Sequence, residues 1–163
     1  MTSYSDLGFE KALKEVLDRI DVGPHCSCAD ITMELLRVHL PLPWPQSRYA
    51  AAGFGGGVGG SAGPCGAFCA GIVALSLYAA RDEPVGCAAE AVESAAQKFF
   101  DAWVEAQGSY VCGELTGYPS LRDHHVRDEF FASGGVEKCT KERIRFAVEK
   151  VLELAPSPGA AAR

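Results

Sequence analysis

The stretch Gly53–Ala80, GFGGGVGGSAGPCGAFCAGIVALSLYAA, joins a run of glycines to an apolar segment through Pro64 and Cys65. Proline is favoured at the first position of a helix, where its missing N–H leaves no hydrogen bond unmade. The pattern therefore predicts a flexible loop followed by a helix, with Cys65 in the first helical turn. Free N–H groups and the positive dipole end of a helix favour a thiolate. We therefore expect a lowered pKa at Cys65, typical of a nucleophile or a metal ligand.

Helical periodicity on both sides of this stretch predicts an all-α fold. Asp6–Ile20 carries apolar residues at helical spacing, and a second helix should begin at Ser27, where Asp30 completes a capping box. The remaining predicted helices are Pro64–Ala80, Pro84–Gln107, a brief turn at Cys112–Gly117, a short helix around Val126–Ala132 and a last helix that opens at Thr140. No segment alternates as a strand does. We predict a compact bundle of about five to six helices, with the glycine-rich loop before the central helix.

Length, composition and charge limit the function classes. The chain has 163 residues, 48% of them apolar and 22% charged, which suits one globular core. We expect a single helical domain over residues 1–155 and a flexible C-terminal tail over 156–163. A net charge of −6 without a basic cluster disfavours a nucleic-acid partner. With no targeting signal and no apolar stretch long enough to span a bilayer, we expect a cytoplasmic protein.

The cysteines are the residues most informative about chemistry. The seven are Cys26, Cys28, Cys65, Cys69, Cys87, Cys112 and Cys139. An odd number without a secretion signal disfavours a structural disulfide framework. Four lie at or next to a predicted helix start: Cys28, Cys65, Cys112 and Cys139. If those starts meet, they form a positive pocket lined by thiolates, which suits an iron–sulfur cluster, a zinc ion or a redox pair of thiols.

The order of these motifs carries a resemblance. An early Cys28, the loop Gly53–Gly57, the motif Cys65-Gly66-Ala67, and then single cysteines at Cys112 and Cys139 are similar to the C_GCAxxG_C_C family of redox-active proteins. The resemblance covers most of the chain, from about residue 26 to 154. It implies that Cys28, Cys65, Cys112 and Cys139 are the functional cysteines.

This chain departs from the family pattern in two ways. The motif would place glycine at position 70, where this chain has Ala70 and then Gly71. The added methyl would limit how closely another helix or a cofactor approaches. Cys26 and Cys69 are additional cysteines, and either could supply a ligand or a resolving thiol. Because Cys69 lies four residues after Cys65 on one helix face, the two together are a permitted ligand pair.

The glycine run and the histidines have simpler interpretations. GFGGGVGG lacks the Lys-Ser/Thr of a nucleotide-binding P-loop. We expect its glycines, together with the one that follows Cys65, to let the backbone approach a cofactor closely; they are Gly55, Gly56, Gly57 and Gly66. His25 is a candidate for tuning a nearby thiol, whereas His124-His125 is read as solvated and Cys87 as a small buried hydrophobe.

These observations lead to one hypothesis and two alternatives. The first is a redox or electron-transfer protein that binds an iron–sulfur cluster, or another metal, through Cys28, Cys65, Cys112 and Cys139. The second is an oxidoreductase without a cofactor, in which Cys65 attacks a disulfide and another cysteine resolves the intermediate. The third is a helical binding module stapled by zinc. We expect a redox partner protein, and the small and aromatic helix faces are compatible with a homodimer.

Overall fold

The computed structural model describes residues 6–19, 26–42, 47, 49–81 and 89–155. These residues confirm the all-α prediction. The helices are α1 (Asp6–Arg19), α2 (Cys28–His39), α3 (Gly66–Ala79), α4 (Ala89–Gln107), α5 (Cys112–Thr116), α6 (His124–Ala132), α7 (Gly135–Lys138) and α8 (Arg145–Leu154). A 3-10 turn covers Ala52–Phe54, and a π-helical turn, Cys139–Ile144, joins α7 to α8. His25, Cys87 and the predicted tail at 156–163 lie outside the described residues.

Helix α3 is the central helix of the bundle, as the sequence predicts. It contacts α2, α4 and α8, and α2 and α4 each contact α8 as well. Small residues of α3 such as Ala67, Ala70 and Ala74 have no exposed surface, as expected of a helix surrounded by neighbours. The run from α7 to α8 is continuous and counts as one helix, and α5 is only five residues long. Without α5 the described residues form six helices, within the predicted range.

Gly71 provides the close helix approach that the family motif would place one residue earlier. A Cβ at Gly71 would lie 2.5 Å from Cζ of Phe99 on α4. The Phe99 ring is fully buried and stacks on Phe68, with 5.8 Å between the ring centroids. Ala70, in contrast, is accommodated in the core. The departure at position 70 therefore leaves α3 packed tightly against α4.

Helix α2 begins where the capping box predicts. The Ser27 backbone N–H donates to Oδ2 of Asp30 at 2.8 Å, and the Asp30 N–H donates to the Ser27 hydroxyl at 3.4 Å. These reciprocal bonds satisfy N–H groups that a helix start leaves free. The cap makes Cys28 the first residue of the helix.

The predicted start of α3 is wrong by two residues. Pro64 pairs with Val111 in an isolated antiparallel bridge, and the Cys65 N–H donates to the Tyr110 carbonyl at 2.7 Å. This pairing holds Cys65 in an extended conformation, with φ −60° and ψ 132°, so that it is the N-cap of α3. Pro64 precedes the helix and is not its first residue.

The prediction that Cys139 precedes a helix capped by Thr140 is also wrong. The helical run has already begun at Gly135, after Gly134 has taken a left-handed conformation with φ 77°. The Thr140 hydroxyl donates to the Val136 carbonyl at 2.9 Å, as a residue inside a helix does. Cys139 therefore lies within a helix, at the first residue of the π-helical turn.

The glycine-rich loop winds in a left-handed turn. Positive φ values between 59° and 80° occur at Gly56, Gly57, Val58, Gly59, Gly60 and Ala62. Glycine adopts this conformation without steric cost, whereas a β-branched residue such as Val58 is strained in it. The Gly60 N–H donates to the Gly55 carbonyl at 3.0 Å. A run of glycines is thus required by the path of the chain.

We expect Gly71→Ala to reduce the free energy of unfolding by about 1–3 kcal/mol, because the new methyl group displaces the buried Phe99 ring. The measurement is urea denaturation, with Gly53→Ala as the control, since a Cβ at Gly53 meets no atom within 4 Å. Equal stability of the two variants would contradict the packing described for α3 and α4.

Candidate redox centre

The four cysteines that the resemblance implies lie close together, and we call them the cysteine quartet: Cys28, Cys65, Cys112 and Cys139. Burial is the largest cause that raises the pKa of each thiol. The charge of a neighbouring quartet sulfur is a further cause. In each of the six pairs that the quartet forms, the charge of one cysteine raises the pKa of the other. Every sulfur therefore lies within electrostatic reach of the other three.

Cys26 and Cys69 stand apart from this group. Burial raises the pKa of Cys26, and the neighbouring charges that raise it further are Asp30 and Glu34. For Cys69, burial and then the charge of Cys28 raise the pKa to about 11. The pairing of Cys65 and Cys69 as ligands stays a prediction.

Backbone N–H groups surround the sulfur of Cys28. It accepts hydrogen bonds from the N–H groups of Gly56, Ala67 and Ala29, each of which lowers its pKa. A Cβ at Gly66 would lie 2.7 Å from this sulfur. The absence of a side chain at Gly66 therefore lets Cys28 reach the first turn of α3.

The bridge between Pro64 and Val111 brings Cys65 and Cys112 to the same place. On one side of the bridge the Cys65 N–H donates to the Tyr110 carbonyl. On the other side the Cys112 N–H donates to the Gly63 carbonyl at 2.7 Å. Cys65 is the N-cap residue of α3, where the backbone groups of Phe68 and Ala67 lower its pKa, while Cys112 is the first residue of α5. Two helix starts thus direct their free N–H groups to one region.

Arg143 is a buried cation beside the quartet. Its side chain lies in the π-helical turn, where Nη1 is 3.9 Å from the Cys139 sulfur and Nη2 donates to the Leu115 carbonyl at 2.7 Å. Oε2 of the exposed Glu142 is 3.3 Å from Nη1. The Nε atom is buried and has no hydrogen-bond partner within the described part of the chain. The positive charge lowers the pKa of both Cys65 and Cys139.

The lowered pKa predicted for Cys65 is not found. Burial raises the pKa of Cys65 although the helix N–H groups and Arg143 act in the predicted direction. Cys65 is only 4% exposed, so the loss of water around the thiolate outweighs the local donors. Burial likewise raises the pKa of Cys28 to about 11 and that of Cys112 to about 12. As free thiols these groups are protonated at neutral pH.

A cavity of about 480 Å³ opens onto the quartet. Cys28, Cys112 and Cys139 line it, together with Cys26, whereas Cys65 does not contribute to its wall. The predicted cofactor-binding glycines divide into three groups. Gly55 and Gly56 line the cavity, Gly66 lies against the Cys28 sulfur, and Gly57 takes part in neither.

The donor set distinguishes between kinds of metal centre. The six described cysteines are free, and among the described residues no three His, Cys, Asp or Glu side chains are arranged to hold one metal ion. A single zinc ion needs its sulfurs at about 2.3 Å, so the side chains as placed do not fit one ion. A four-iron cluster takes each thiolate on a different iron atom, which spreads the ligands farther apart, whereas a two-iron cluster takes two thiolates on each iron. Four soft sulfurs with surrounding N–H donors fit such a cluster.

Sequence reasoning missed Arg143 and the role of the segment after Tyr118. Arg143 lies four residues after Cys139, a spacing that places two side chains on one helix face and could have revealed it. Thr116 has the same spacing from Cys112, whose pKa its hydroxyl lowers. His124 and His125 are exposed at the start of α6, with 3.9 Å between their ring centroids, and do not line the cavity.

Comparison with known proteins adds one match. The family model described as "Putative redox-active protein (C_GCAxxG_C_C)" matches residues 26–154. No curated protein and no solved structure matches the chain. In the described part of the chain, no helix has both the length and the apolar character needed to cross a membrane.

In the metal-free, reduced protein, we expect the free energy of unfolding to fall as the pH rises above 9. The folded state keeps its thiols protonated up to about 11 at Cys28 and about 12 at Cys112, whereas unfolded thiols ionise near 9.0. The unfolded state then holds fewer protons, which favours unfolding at high pH. Chemical denaturation in the presence of a reductant measures the decline. Cys112→Ala should flatten it more than Cys26→Ala, and identical slopes would contradict the burial of Cys112.

Proposed function

The chain belongs to the C_GCAxxG_C_C family of redox-active proteins, and from this membership and the cysteine quartet we propose an electron-transfer protein that binds an iron–sulfur cluster. The ligands are Cys28, Cys65, Cys112 and Cys139. The observation that carries this proposal is the convergence of the quartet: Cys28, Cys112 and Cys139 line one cavity, and the Pro64–Val111 bridge holds Cys65 beside Cys112. Four buried or partly buried thiols that lie together are unfavourable as free thiolates, and bound cations compensate their charge.

The chain's own groups would prepare the site for a negatively charged centre. A bound cluster supplies one-electron chemistry at a potential set by hydrogen bonds to sulfur, net charge and burial. The N–H groups of Gly56 and Ala67 donate to Cys28, and that of Phe68 donates to Cys65. These donors and the charge of Arg143 stabilise a reduced, more negative state.

The alternative of a thiol–disulfide oxidoreductase has less support. Exchange begins with a thiolate that reaches the disulfide of its substrate. Cys65, the predicted nucleophile, is 4% exposed, and burial raises its pKa. The more accessible Cys26 is outside the quartet. Loss of two thiols on mild oxidation, without iron, would instead indicate this disulfide chemistry.

The first test is the iron and acid-labile sulfide content of protein purified without oxygen. We expect brown protein with iron and sulfide in equal amounts. Cys65→Ser should lose most of the iron, because serine oxygen is a poorer ligand for iron than thiolate. Cys26→Ser and Cys69→Ser are matched controls that should keep it.

Three results would contradict the proposal. Iron-free protein that loses two thiols on mild oxidation would favour the disulfide alternative. Equal iron loss in Cys65→Ser and Cys69→Ser would show that the quartet is not the ligand set. Stoichiometric zinc without sulfide would favour the zinc-stapled module.

Arg143→Gln should make the midpoint potential more negative, because it removes a buried cation that stabilises the reduced state. We expect about a tenfold change in the equilibrium constant for reduction, or about 59 mV for a one-electron couple. Glu142→Gln should shift the potential by a smaller amount in the opposite direction. Arg145→Gln is the control, since the Arg145 Nε donates to Glu149 at 2.8 Å. Unchanged potentials in the first two variants would exclude this electrostatic role.

A further inference from the structure

We propose that the cavity above the cysteine quartet binds a small organic anion with an apolar body. Its volume of about 480 Å³ is within the range of small-molecule sites. The ligand would be bound by the part of the cavity wall that contains none of the quartet cysteines. This part comes mainly from α6 and the segment before it.

The charged residues that line the cavity are all positive. They are Arg122, which precedes α6, and Arg127 on α6. In the part of the chain that the structure describes, neither forms an ion pair. Among the described residues no acidic side chain lines the cavity, and Asp128 and Glu129 of the same helix are exposed outside it. In a chain with a net charge of −6, this local excess of positive charge favours an anion.

The remaining lining is largely apolar, which defines the rest of the ligand. The large apolar side chains of the wall are Ile31, Leu121, Phe130, Phe131, Val136 and Ile144. Phe131 and Val136 are 47% and 44% exposed, a high value for large apolar residues. A ligand that covers them is stabilised by removing this apolar surface from water. Guanidinium groups recognise carboxylate, sulfonate or phosphate groups through paired hydrogen bonds.

The position of α6 connects this site to the quartet. Arg127, Phe130 and Phe131 occupy positions i, i+3 and i+4, so one face of α6 is directed towards the cavity. Cys28, Cys112, Cys139 and residues of the glycine loop line the same cavity. A bound anion would therefore lie beside the sulfur atoms and restrict access to them.

The test uses anilinonaphthalene sulfonate, an apolar fluorescent anion, and the neutral phenylnaphthylamine that lacks the sulfonate. We expect the anion to bind the wild-type protein at least about tenfold more tightly than the neutral compound, as charge-assisted hydrogen bonds require. The double variant Arg122→Gln/Arg127→Gln should lose this difference. Lys11→Gln/Lys98→Gln is the charge-matched double control, because these two exposed lysines do not line the cavity. In reduced protein stripped of metal, where Cys139 is a free thiol, bound anion should also slow its alkylation by iodoacetamide.

Three outcomes would overturn the inference. They are no binding to the wild-type protein, equal binding of the two compounds, and binding that leaves the alkylation of Cys139 unchanged. The comparison of the two compounds and the alkylation assay use the wild-type chain, so they remain informative if the double variant does not fold. Neither assay requires electron transfer, and a negative result would therefore leave the proposed redox centre standing.

Discussion

Four ionisable thiols, two buried and two partly buried, lie within reach of one another, and the structure depends on this constraint. Each thiolate would lose its hydration and repel the other three, and both effects raise the pKa values of the quartet. The fold opposes them with backbone N–H groups and with Arg143, a buried cation. Since burial still dominates, the protein without bound cations keeps neutral thiols. The positive charge of the proposed iron–sulfur cluster would stabilise the thiolates that the fold alone does not.

The helical bundle is organised to bring these groups together. The bridge between Pro64 and Val111 aligns the starts of α3 and α5, and the capping box fixes Cys28 at the start of α2. The left-handed turn of the glycine loop places the Gly56 N–H on the Cys28 sulfur. Residues distant in sequence thereby contribute donors to one site, while the small side chains of α3 allow the supporting helices to pack closely.

Local signals predicted much of this arrangement. The helices themselves were identified from properties of short segments. These are the Ser27 cap, the apolar character of α3 and the glycine and proline residues between helices. Their positions at predicted helix starts grouped the four cysteines, and the family resemblance implied that they act together, because spacing does not determine which helix ends meet. The same limit applies to Cys139, which lies inside a helix since the run begins upstream at Gly135.

The sign of the thiol pKa shifts could not be predicted from a helix start alone. A free N–H group is a local property, whereas the loss of water around Cys65 depends on the surrounding helices. Arg143 was missed for a related reason: an arginine in an amphipathic helix is usually solvated, and only tertiary packing buries it beside Cys139. The contribution of α6 to the cavity also depends on packing, because its sequence is mainly polar and its position follows from the turns around it.

X-ray absorption at the iron edge, on protein purified without oxygen, would detect an iron–sulfur cluster on the quartet directly. We expect iron with four sulfur neighbours and a further shell of iron atoms, both lost in Cys65→Ser. Iron surrounded by oxygen and nitrogen alone, or no iron at all, would contradict the proposed cluster.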